Sequence, residues 1–84
     1  MDYSMIGKIE KAKRYAQETD RITFSELAVN FRGENDSYAT GYSNGKWHCS
    51  CHFFANWGVC SHTMALEKIL SAMLPVEAQT TSFE

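Results

Sequence analysis

Apolar residues at the start of the chain recur at three- and four-residue spacing. Met5, Ile9, Ala12 and Ala16 form one stripe, with Lys8, Lys11 and Arg14 on another side. That spacing predicts an amphipathic helix with Ser4 as its candidate N-cap. The pattern fades at Thr19-Asp20, and the period then shortens to two. Ile22 and Phe24 alternate, and so do Leu27, Val29 and Phe31, but the two sets are out of phase by one residue. An extra residue near Ser25-Glu26 would restore the phase, so Arg21 to Gly33 predicts a bulged strand or a break into two strands. "GEND", Gly33 to Asp36, has turn composition.

The next stretch, "SYATGYSNGKWHCSC" from Ser37 to Cys51, carries Asn44-Gly45 between two β-rich runs. This is the favoured two-residue hairpin turn, and it sets a register. Ser43 opposes Lys46, Tyr42 opposes Trp47, Thr40 opposes Cys49 and Tyr38 opposes Cys51. Because side chains alternate along a strand, Tyr38, Thr40, Tyr42, Trp47, Cys49 and Cys51 share one face. His52 to Val59 reads as an aromatic loop. Cys60 to Leu74 reads as a helix, with Leu66, Ile69, Leu70 and Met73 as its apolar face and His62 on that side. Glu67, Lys68 and Ser71 point away. Pro75 stops the helix, and the remaining residues predict a loose tail.

Composition sharpens this picture. The chain has 84 residues, 44% hydrophobic and 13% aromatic, which excludes a disordered chain and allows one domain with a small core. Domains of this size often need a disulfide, metal or partner as a staple. No stretch is long enough to span a membrane, and no basic-then-apolar leader pattern stands at the N-terminus, so the expected location is cytoplasmic. Thiols stay reduced there, and three cysteines could not all pair in any case. The net charge is −2, and two acids of the tail, Glu77 and Glu84, account for it. The expected folded part is close to neutral and carries no strong electrostatic footprint for nucleic acid.

All three cysteines and all three histidines fall between Trp47 and His62. Cys49 and Cys51 lie on one predicted strand face; Cys60 and His62 lie in the first turn of a predicted helix. The pattern is Cys-x-Cys, eight residues, Cys-x-His. Zinc takes four N or S ligands in a tetrahedron, and positions i and i+2 of a strand point together. Three thiolates and Zn²⁺ leave a charge near −1 at a helix N-terminus, where the macrodipole favours it. The same position lowers thiol pKa. Four protein ligands leave no open position, so the site reads as structural, with one Zn²⁺ per chain and metal binding coupled to folding. The competing readings are buried cysteines that merely cluster, or redox thiols. Iron–sulfur clusters prefer all-cysteine ligation. His48 and His52 are spare candidates on the opposite strand face.

This arrangement resembles the SWIM-type zinc finger, whose hallmark is Cys-x-Cys, a variable gap, then Cys-x-His. Here it stands as Cys49-Ser50-Cys51 and Cys60-Ser61-His62. The context is similar too: a strand pair before the first cysteine, Phe53 or Phe54 after the second, Gly58 shortly before the third and a helix after the histidine. The resemblance covers roughly Ile22 to Leu70 and implies a ββα zinc unit used for binding DNA or other proteins. SWIM modules occur in transposase-like proteins, chromatin-associated ATPases, bacterial proteins and ubiquitin-pathway proteins, usually as parts of larger chains.

The expected fold is therefore α+β. A leading helix packs on a three-stranded antiparallel sheet, and the last hairpin and a C-terminal helix clamp one structural zinc. Residues 1–74 form a single SWIM-like zinc-binding domain, with the zinc unit at 37–74 and a flexible tail at 75–84. The expected function is a small interaction module with a protein or a DNA or RNA partner. Phe53, Phe54 and Trp57 favour a protein, because exposed aromatics anchor interfaces; otherwise they roof the zinc site. Lys8, Lys11, Lys13, Arg14, Arg32 and Lys46 favour phosphate contacts; otherwise they form a solvated face, interrupted by Glu10 and Glu18. The alternative function is a redox or zinc-responsive thiol switch, since zinc thiolates can be oxidised with metal release. No enzyme and no small-molecule substrate are expected. Ser25 and Glu26 sit in the strand region, Glu34 and Asp36 in a turn, and no catalytic triad or carboxylate pair stands out.

Overall fold

A computed structural model describes residues 3–83. The elements are α1 (Tyr3–Gln17), a 3₁₀ turn at Thr19–Arg21, β1 (Leu27–Arg32), β2 (Ser37–Ser43), β3 (Lys46–Cys49), α2 (His52–Trp57) and α3 (Ser61–Leu70). Two further 3₁₀ turns follow, at Ser71–Met73 and Val76–Ala78. The fold is α+β, with one antiparallel sheet in the order β1-β2-β3.

Asn44 and Gly45 both adopt positive φ, 53° and 77°, as the tight hairpin turn requires. The turn sets the register Ser43↔Lys46, Tyr42↔Trp47 and Thr40↔Cys49. On the other side Leu27 pairs with Tyr42, Val29 with Thr40 and Phe31 with Tyr38. These rows share one face and grade along it. The Leu27–Tyr42–Trp47 row meets Leu70, Leu74, Ala78 and Phe24 in a small apolar core. The Val29–Thr40–Cys49 row and the Phe31–Tyr38 pair continue toward the cysteines.

The expected Tyr38–Cys51 pairing does not form. The ladder ends at Cys49, and Ser50 replaces the next rung with its N–H on the Ala39 carbonyl (3.0 Å) and its hydroxyl accepting from Ala39 N–H (3.0 Å). The chain then turns away. Cys51 is extended (φ −78°, ψ 157°) and caps α2, its Sγ accepting from Phe54 N–H at 3.4 Å. The segment expected as an aromatic loop is thus a short helix, closed by Gly58 in the left-handed region (φ 74°).

Upstream, only Leu27–Arg32 forms a strand. The phase break leaves Ile22–Glu26 outside the ladder, where Phe24 N–H bonds the Met73 carbonyl at 2.7 Å. α1 does not pack on the sheet as expected: every residue from Ser4 to Gln17 is exposed, and Ser4 lies within the helix. Its exit is held locally by Arg21, which sits 4.9 Å from the Tyr15 ring centroid and 3.2 Å from Glu18.

α3 is rotated from its expected setting. Thr63, Leu66 and Glu67 are buried, whereas Ile69 is 71% exposed. On the side of Glu67 lies the segment after Pro75, expected to be a flexible tail. It is seated against the body: Ala78 is fully buried, its carbonyl accepts from Trp47 Nε1–H at 2.8 Å, and Thr80 and Thr81 bond Glu67. Among the described residues no helix is long and apolar enough to cross a membrane.

Candidate metal centre

Each of the four expected ligands stands at an element boundary. Cys49 ends β3, Cys51 caps α2, Cys60 caps α3 in extended backbone (φ −158°, ψ 171°) and His62 lies in the first turn of α3. The expectation that Cys49 and Cys51 share a strand is corrected here, since they come from a strand end and a helix cap. Their donor atoms converge all the same. The three Sγ atoms and one imidazole nitrogen all lie within 4.8 Å of one another. His62 Nδ1 is 3.6 Å from Cys49 Sγ and 3.7 Å from Cys60 Sγ.

These distances test whether a metal fits. A tetrahedron with ~2.3 Å metal–sulfur and ~2.05 Å metal–nitrogen bonds has S···N edges of about 3.6 Å and S···S edges of about 3.8 Å. The two S···N separations match, so the four residues can hold one metal ion. All three thiols are free. His48 and His52, the spare candidates, are exposed and outside this set.

The site is more buried than most of the chain. The largest fully buried side chains are Thr40, Thr63 and Cys60, and all three belong to it. Thr40 Oγ1 lies 3.3 Å from Cys49 Sγ. Thr63 Oγ1 accepts from Cys60 N–H at 3.3 Å and donates to the Cys60 carbonyl at 3.1 Å. The His62 ring is stacked on Tyr38, centroids 4.6 Å apart at 29°, and tilted against Phe31 at 4.9 Å and 55°. Register placed Tyr38 and Thr40 on this face; Phe31 and Thr63 carried no sequence signal toward the site beyond their alternation and helical spacing.

Burial pushes the Cys49 thiol up, but hydrogen bonds from Thr40, the Cys51 backbone, His62 and Cys51 outweigh it and lower the thiol to about 7. Burial dominates at Cys60 and raises its thiol, against hydrogen bonds from the Thr63 backbone and hydroxyl, while neighbouring Cys51 and Cys49 add to the rise. A cation at the centre reverses that burial penalty, because it favours every thiolate around it.

An open groove of about 710 Å³ reaches the centre itself, lined by Cys51, Cys60 and His62 together with Tyr38, His52 and Phe53 among others. At its α2 edge Phe53 (56% exposed) and Trp57 (71% exposed) stack on each other, centroids 6.0 Å apart. Phe54 is half-buried. Of the three aromatics, only Phe54 turns inward toward the body.

No family model, curated protein or solved structure matches this chain. The SWIM resemblance rests on the ligand pattern and its strand-and-helix setting.

Proposed function

We propose that the chain is a SWIM-type zinc-binding module whose single zinc is structural and whose role is protein recognition. The observation that carries the reading is the convergence of four donors, Cys49, Cys51, Cys60 and His62, within 4.8 Å of one another, with two S···N separations of tetrahedral length. Three sulfurs and one imidazole are the donor set of structural zinc, and four protein ligands leave no position for a substrate or water. In this reading the ion itself does no chemistry, and the module acts as a binding unit.

The partner follows from the exposed aromatic pair. Phe53 and Trp57 sit on a helix pinned beside the metal, and α2 carries no Lys or Arg. Aromatic anchors without cations suit a protein interface better than a phosphate backbone. Titration of the zinc-loaded chain with single- and double-stranded oligonucleotides at low salt tests this. The protein-recognition reading expects no binding. Tight binding that weakens steeply with salt would overturn it in favour of nucleic acid.

One observation favours a second reading, a zinc-responsive thiol switch: Cys49 is only half-buried and its thiol is lowered to about 7, which makes it the ligand most open to oxidation. Zinc release by mild peroxide, reversed by reductant, would support the switch, and retention of zinc would exclude it.

A further inference from the structure

Gly33 follows β1, at the start of the Gly33–Asp36 turn. Its φ is not in the left-handed region, unlike Gly45 and Gly58. Backbone conformation therefore does not demand glycine there. Space does. A Cβ built on Gly33 would lie 3.1 Å from His62 Nε2, 3.1 Å from Tyr38 Cε2 and 3.3 Å from the Asp36 carbonyl oxygen.

None of these neighbours yields cheaply. The Asp36 carbonyl is held by Gly33 N–H at 2.8 Å. Tyr38 is a β2 residue paired with Phe31, and its ring is stacked on His62. The imidazole is gripped between Tyr38 and Phe31, with Nδ1 on the side of Cys49 and Cys60 and Nε2 on the side of Gly33.

We propose that Gly33 is a positioning residue for His62: its missing side chain makes room for the Nε2 edge, so that the ring presents Nδ1 to the metal. This inference rests on the reading of the four donors as a metal site. Residues that orient a ligating imidazole change metal affinity by about 10- to 100-fold when altered. A methyl group at Gly33 would take a few tenths of an ångström from the tightly held Tyr38, Asp36 and His62, and a shift of the imidazole moves Nδ1 off its place beside the sulfurs.

The test uses the full chain loaded with Zn²⁺ and, separately, Co²⁺. Long-range ¹H–¹⁵N spectra of the zinc form report which His62 nitrogen carries the proton. The expected pattern is Nδ1 on the metal and Nε2 protonated; the reverse would overturn the inference while leaving the metal site standing. Gly33→Ala is expected to weaken metal binding by about tenfold or more and to shift the Co²⁺ ligand-field bands. Gly7→Ala, where a Cβ meets nothing within 4 Å, is the control and leaves both unchanged. Wild-type affinity and an unshifted Co²⁺ spectrum in Gly33→Ala would also overturn the inference. Failure of the wild-type chain to bind either metal would remove the metal reading itself, and this inference with it.

Discussion

At the scale of residues, the account turns on how few side chains are fully buried. Among the described residues the buried apolar set is Tyr42, Cys51, Cys60, Leu66, Leu74 and Ala78, and two of these are metal-ligand candidates. So small a core fits the proposal that a metal supplies what aliphatic packing does not. Cys60→Ser, at a position only 1% exposed, is expected to abolish the folded circular-dichroism signal even with zinc present. An unchanged spectrum would contradict a structural site. Proton release gives a finer test. In this account the metal-free chain is unfolded, so its three thiols titrate near their ordinary ~8.5 and are protonated at pH 7, and metal binding there is expected to displace about three thiol protons. Calorimetry in buffers of different ionisation enthalpy measures that number directly. The ligand types and spacing were readable in the sequence because all four stand as Cys-x-Cys and Cys-x-His within fourteen residues, although the strand face expected to join Cys49 and Cys51 is not what brings them together. The cap at Cys51 was not, because it depends on the chain leaving the sheet at Ser50, which period-2 alternation does not encode.

Among the elements, the hairpin was the most legible part, since Asn44-Gly45 fixes both turn and register. α2 was hidden because six residues carry less than two turns of periodicity, although Gly58 stood at the place of a C-cap. The setting of α3 was misread for a different reason. Glu67 reads as a solvent-facing charge, yet it is 4% exposed. Its carboxylate accepts from Thr80 N–H at 2.6 Å, Thr81 N–H at 3.0 Å and the Thr81 hydroxyl at 2.8 Å. These contacts join residues thirteen and fourteen apart, beyond any local pattern. Hydrogen bonds to a buried charge contribute more than neutral ones, so Glu67→Ala is expected to cost about 2–4 kcal/mol in chemical denaturation. Hydrogen exchange at the Thr80 and Thr81 amides should quicken in the same variant. A loss below about 0.5 kcal/mol, the range of ordinary surface changes, would show that the clamp contributes little.

For the whole molecule, shape follows from the position of α1. The long axis is 54 Å against 27 and 26 Å across, and α1 buries no described side chain against the rest of the chain. Its sequence stripe correctly predicted a helix but said nothing of where the stripe would go, since amphipathic spacing fixes a face and not its partner. A chain beginning at Glu18 is therefore expected to bind metal with unchanged affinity and to melt within a few degrees of the full chain. A large drop in either would mean that α1 contributes to the body. The body itself is two small cores on one sheet face, an apolar one at the hairpin end and a polar, sulfur-lined one at the other. We propose that the second depends on a cation held among its three sulfurs and the His62 imidazole.

Native mass spectrometry of the purified chain, before and after a chelator and with circular dichroism alongside, tests that claim most directly. The expected result is one zinc per chain and collapse of the sheet and of α2 and α3 when the metal is removed. A metal-free mass with an unchanged spectrum would contradict it, because three buried or half-buried thiols and an imidazole would then be holding the fold without a cation between them.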